Sequence, residues 1–270
     1  MHPASGPQIV KGRSMKRRTI LVLAMLGTTA GCGGGSSAPV GTGILTGNWQ
    51  MTLQKSDSTL KPKTQSGFLL QQNDTVTGNV SLRATSCSGI GGVTGQVSGS
   101  TVSLSVAPTG LLVNLSGTIG SDQASMSGSY AILSQGCSGA GLAPETGTWT
   151  ANLLKPLNGG FQGTFTSNRV GDLQVTGKVS QSQNEGSSSA PLAGNIAVAG
   201  YCFASASLYG SISGTSVVLS MLDPDGMQIG QVIATSSLDS KSLTGTYRVL
   251  QQTGKPPCGS GDAGTVTLSF

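Results

Sequence analysis

The chain has 270 residues, 15 basic against 10 acidic for a formal charge of +5, one histidine and 42 glycines. Five basic residues, Lys11, Arg13, Lys16, Arg17 and Arg18, precede Cys32 and no acidic residue does, so the remainder is balanced at 10 against 10. That excludes the clustered Lys and Arg of a nucleic-acid surface, and because the histidine is His2 the rest of the chain has no Ser-His or Cys-His nucleophile, histidine base or histidine metal ligand.

Residues 15–32 read MKRRTILVLAMLGTTAGC: a basic n-region at 16–18, an apolar run over 19–26, and small residues Thr29, Ala30 and Gly31 before Cys32. This is the layout of a secretory signal, too short to span a membrane as a mature helix. An ordinary signal with an incidental cysteine shares that layout. The Thr-Ala-Gly-Cys ending resembles the bacterial lipobox, with Thr29 where that pattern most often has Leu. The resemblance implies cleavage before Cys32 by signal peptidase II, diacylglycerol on its sulfur and acylation of the new amino group. Several acyl chains on one residue suffice for a stable membrane anchor. Gly33, rather than Asp, after the cysteine implies an outer-membrane destination by the sorting behaviour of such lipoproteins. Residues 1–14 precede a second methionine, and a start at Met15 gives a compact leader. Residues 1–31 are therefore read as leader and signal, and 32–43, with the run GGGSSAPVGTG, as a flexible tether.

Beyond the tether the apolar residues alternate with polar ones over many short runs, the period of a half-buried strand. Trp49, Met51 and Leu53 share one face, and the pattern recurs at Val76, Gly78, Val80 and Leu82, at Val102, Leu104 and Val106, and at Leu111, Val113 and Leu115. It returns at Met126, Gly128, Tyr130 and Ile132 and at Trp149, Ala151 and Leu153, with weaker candidates at 68–72 and 93–97. About eight strands are expected before residue 155.

The second half repeats the first. SMSGSY (125–130) returns as SLTGTY (242–247) and GTWT (147–150) as GTVT (264–267), each displaced by 117. GSTVSLSV (99–106) returns as GTSVVLSM (214–221), displaced by 115, and GNWQMTL (47–53) echoes in GGFQGTF (159–165). The repeat is far longer than a solenoid unit, so it is a domain duplication: a first unit at 44–154 and a second at 159–270, joined by Lys155-Pro156-Leu157-Asn158. The Ser-rich stretch 180–190 reads as an insertion in the second copy.

Short antiparallel strands without helical periodicity give an all-β fold of two homologous meanders, each closed into a small barrel or split into a two-sheet sandwich. A fused sixteen-strand sheet is a further solution. Glycines at inward positions (Gly78, Gly128, Gly177 and Gly245) and matching first and last strands favour barrels, which also abolish exposed edges. The opening Leu45-Thr46-Gly47-Asn48-Trp49 resembles the first strand of avidin-like and lipocalin-like barrels, from which no ligand residue carries over. The mature chain also resembles uncharacterised predicted lipoproteins of soil bacteria that share the Gly-x-Trp opening, Cys-Ser-Gly signatures and a closing Gly-Thr-Trp-Thr strand. That resemblance brings no activity.

With Cys32 lipidated, four cysteines remain, and the duplication pairs Cys87 with Cys137 and Cys202 with Cys258, one bridge per unit. A metal site would need close-spaced Cys or His ligands that the sequence lacks. Asp57, Asp74, Asp122, Asp223, Asp225, Asp239 and Asp262 sit beside turn residues and are read as turn formers. Asp223-Pro224-Asp225-Gly226 begins like a calcium loop but has proline second and no distal acid, so a turn is expected. Trp49, Trp149, Tyr130, Tyr201, Phe203 and Tyr247 are candidates to line an apolar pocket, although aromatics at strand period are ordinarily core.

These readings predict a lipid-anchored, non-enzymatic protein of the cell envelope without cofactor, metal or nucleic acid, acting as a structural or partner-binding module. Its expected partners are the membrane, through the lipid, and an envelope protein. The alternative is a lipocalin-like carrier of a small apolar ligand.

Overall fold

The computed structural model describes residues 44–57, 59, 61–82, 89–108, 111–134, 145–182, 188–251 and 258–270. The leader, the tether, Cys32, Cys87 and Cys137 lie outside them, as do residues 183–187 of the Ser-rich insertion. The described residues form sixteen strands. The first eight are β1 (Gly47–Lys55), β2 (Lys63–Gln72), β3 (Thr75–Leu82), β4 (Gly89–Ser98), β5 (Thr101–Ala107), β6 (Leu111–Ile119), β7 (Ser125–Ser134) and β8 (Glu145–Leu154). The second eight are β9 (Gly159–Ser167), β10 (Gly171–Gln181), β11 (Ala190–Val198), β12 (Ser205–Ser213), β13 (Ser216–Leu222), β14 (Gln228–Ser236), β15 (Ser242–Val249) and β16 (Asp262–Ser269).

Each set is an antiparallel meander closed on itself: β1 pairs with both β2 and β8, and β9 with both β10 and β16. Two separate closed barrels replace the sandwich and the fused sheet. Closure leaves no unpaired edge, which a sheet this poor in charge needs to avoid edge-to-edge association.

β2 and β4 start earlier than the apolar alternation suggests. Gln65 and Gly67 hold inward positions of β2, and Gly91 one of β4, so the pleat continues where hydrophobicity does not. Gly78, Gly128, Gly177 and Gly245 all lie at inward register positions. A Cβ there would strike the backbone carbonyl of Phe68, Ser116, Asn195 or Ile233 on the adjacent strand, so side chains would force the coiled strands apart.

An eight-stranded barrel is just wide enough for side chains to fill it, and both interiors are packed. Trp49, Met51, Leu69, Leu104 and Met126 are buried in barrel one; Phe165, Leu192, Leu208 and Met221 in barrel two. The duplicated cores trade volume at one matched position. Leu53 lies opposite Trp149 in barrel one, whereas Phe165 lies opposite Val266 in barrel two, so large and small residues have changed sides.

One end of each barrel is plugged by a leucine that precedes its first strand. Leu45 and Leu157, 112 residues apart, are both fully buried. The Leu45 amide donates to Gln71 Oε1 at 3.1 Å and the Leu157 amide to Gln181 Oε1 at 2.9 Å. Trp49 Nε1 closes the first plug by donating to the Leu45 carbonyl at 2.9 Å. Leu157 therefore belongs to the core of barrel two, although the sequence places it in the joint.

The barrels are hydrogen-bonded to each other. Asn48 donates to the Gly214 carbonyl and accepts from the Gly214 amide, each at 3.0 Å and buried. Gln50 donates to Thr215 Oγ1 at 3.2 Å, the Ser66 and Ser213 hydroxyls are 2.9 Å apart, and Ser240 donates to the Lys155 carbonyl at 2.6 Å.

Candidate functional site

The candidate pocket aromatics divide between the two interiors and line no common cavity. Trp49 sits at the plugged end of barrel one, and Trp149 and Tyr130 toward its opposite end; Tyr201, Phe203 and Tyr247 belong to barrel two. All are buried except the half-buried Tyr201. Both indoles spend their N–H on backbone: Trp149 Nε1 donates to the Ser116 carbonyl at 3.2 Å. In barrel two, Tyr247 stacks on Phe165 with centroids 4.3 Å apart, and Tyr201 meets Phe203 edge-on at 5.3 Å.

The unplugged ends carry a polar feature that the sequence reading missed. In barrel one Tyr130 donates to Glu145 Oε1 at 2.7 Å; in barrel two Tyr247 donates to Asp262 Oδ2 at 2.9 Å. Both residues of the pair are displaced by 117, and the register matches: Tyr130 lies opposite Gly147 and Tyr247 opposite Gly264. Each ring lies across its glycine, where a Cβ would approach Cε1 to 2.7 Å in the first barrel and 3.0 Å in the second. The glycine two residues after the acid thus lets the phenol reach the carboxylate.

The second copy is elaborated. Tyr201 also donates to Asp262 Oδ2, and the Cys202–Cys258 disulfide, with its Cα atoms 5.8 Å apart, ties the Tyr201 loop to the turn before β16. The bridge is the pairing expected from the duplication. Asp262, read from sequence as a turn former, instead opens β16 with only 5% of its surface exposed, and its Oδ1 has no hydrogen-bond partner among the described residues. Burial pushes this carboxyl upward, but the hydrogen bonds from Tyr201 and Tyr247 help to outweigh it and hold it below the usual carboxylate range. Burial and the carboxylate push Tyr247 up to about 12, and burial and Glu145 also raise Tyr130. At neutral pH these phenols are donors locked onto a carboxylate, and neither is poised as a base or nucleophile.

Other aspartates behave as read. Asp57, Asp122, Asp223 and Asp239 each accept backbone amides within their own turns. The calcium-like stretch is the β13–β14 turn, with Asp223 Oδ1 satisfied by the amides of Asp225 and Met227. No cluster of three metal-ligating side chains occurs among the described residues.

The outer faces differ between the copies. On barrel two Tyr209, Val218 and Ile233 point outward and are 54%, 37% and 53% exposed. Val218 lies directly opposite Ile233, and Tyr209 is diagonal to Val218 through its partner Ser220. The three therefore form a continuous apolar row across β12, β13 and β14. The matched positions of barrel one, 115 or 117 residues earlier, are Thr94, Ser103 and Ser116, all exposed and polar. Compared with known proteins, the chain matches no family model, no curated protein and no solved structure.

Proposed function

We propose that this chain is a lipid-anchored protein of the cell envelope, in which two filled barrels act as a non-catalytic structural and partner-binding module held at the outer membrane through Cys32. The observation that carries the partner-binding part is the apolar row Tyr209–Val218–Ile233, which replaces three small polar residues of the sister barrel. Neighbouring outward apolar residues add nothing to the barrel's own core, and contiguous patches of this kind mark interaction surfaces. The packed interiors support this reading over a lipocalin-like carrier, which would need a cavity where the buried aromatics stand.

The test copies barrel one onto barrel two with Tyr209→Thr, Val218→Ser and Ile233→Ser together. The triple variant should unfold within about 1 kcal/mol of the parent, because surface changes cost little. On native gels of solubilised membranes the parent should run in an envelope complex and the triple variant should not. An unchanged complex would refute the assignment of this face. Labelling with a palmitate analogue, abolished by Cys32→Ser, tests the anchor separately.

A further inference from the structure

A cleft of about 430 Å³ opens between the plugged ends of the two barrels, walled by Phe68, Ala124, Leu153, Leu154 and Pro156, with Lys155 at its rim. We propose that this cleft binds an amphiphile with one apolar chain and an anionic head, the chain against the apolar wall and the head on the Lys155 ammonium. Lys155 is exposed and has no ion-pair partner among the described residues, so the rim offers an uncompensated positive charge beside apolar surface.

The site is built in advance. Ser240 pins the Lys155 carbonyl, Asn158 Oδ1 accepts from the Gln181 amide at 2.6 Å, and Gln181 Oε1 accepts from the Leu157 amide. On the opposite wall the Leu153 amide donates to the Ala124 carbonyl at 2.8 Å. The plug contacts that close each barrel thus also fix the cleft between them, and its volume falls in the range of small-molecule sites, which favour domain junctions. The described chain begins at Ile44, next to Thr46 and Gly47 of the cleft lining. Ile44 lies twelve positions after Cys32, a reach of at most about 43 Å when extended. On the anchored reading, on which the inference rests only for its lipid supply, the bilayer is within that reach.

The test uses the full chain carrying Cys32→Ser, exported and purified without a lipid anchor, so that failure of the anchor reading does not affect it. Titration with cis-parinaric acid should show saturable fluorescence enhancement at one site per chain. Ala124→Trp, which fills the cleft, should abolish it. Lys155→Glu, at an exposed position that leaves folding intact, should weaken the carboxylate probe about tenfold, reversing one surface charge contact. It should leave displacement by neutral dodecanol unchanged. Competition by dodecanoate alone would identify a free fatty acid as the natural source, and competition by lysophosphatidylglycerol a membrane phospholipid; either supports the site. Absence of saturable binding, or equal binding by the parent and Lys155→Glu, would overturn the proposal.

Discussion

Replacing Tyr247 by Phe removes one hydroxyl from a buried carboxylate while leaving the ring, and its stack on Phe165, in place. Hydrogen bonds to charged groups contribute about 1.5–3 kcal/mol, and Tyr247 is 2% exposed, so water cannot replace the lost donor. We expect a loss in that range. Tyr130→Phe in barrel one should cost less, about 0.5–1.5 kcal/mol. Its acceptor Glu145 is only half-buried, so water can take the place of the lost donor there. Tyr201→Phe shares the Oδ2 acceptor with Tyr247, so the double variant should fall short of the sum of the singles.

Because Asp262 titrates lower folded than unfolded, its contribution is present above the unfolded carboxylate value near 3.9 and is lost as the pH falls through the depressed folded value. Tyr247→Phe should flatten the pH dependence of stability below about pH 4. The assay is urea unfolding by far-UV circular dichroism at several pH values. A cost under about 0.5 kcal/mol, or one equal to that of Tyr130→Phe, would refute the reasoning.

Three further outcomes follow from the geometry. Cys202→Ser with Cys258→Ser should lower stability by about 4 kcal/mol, the loop-closure value for a separation of 56 residues, measured by the same denaturation. Gly264→Ala should destabilise barrel two by more than about 2 kcal/mol, because the new Cβ meets the Thr166 carbonyl and the Tyr247 ring; thermal unfolding reads this directly. Asn48→Ala leaves the buried Gly214 carbonyl and amide without their partners and should uncouple the barrels. Both tryptophans, Trp49 and Trp149, lie in barrel one, so fluorescence reports that barrel alone. In Asn48→Ala the fluorescence and circular dichroism midpoints should separate.

The barrels were legible because hydrophobic alternation and an offset near 117 survive in the residues that touch the core. The Cys202–Cys258 bridge was legible from the same duplication. What escaped is what the pleat alone does not encode. Leu45 and Leu157 sit outside any alternating run, and only the closed barrel shows that a residue before the first strand can turn in and plug its end. Asp262 follows Gly261 and looks like a turn former; its burial depends on Tyr201 and Tyr247, which lie 61 and 15 residues away. The offset itself carried a signal that could have found it, since Tyr130–Glu145 and Tyr247–Asp262 keep the same spacing. The cleft and the inter-barrel bonds join residues up to 166 positions apart, beyond any local pattern.

The most direct test of the central claim is photo-crosslinking in living cells, with p-benzoylphenylalanine placed at position 209 in one strain and at the matched position 94 in another. Position 209 should give a discrete crosslink to an envelope protein and position 94 none. Equal crosslinking from both positions, or none from 209 in a chain that is present and folded, would contradict that claim.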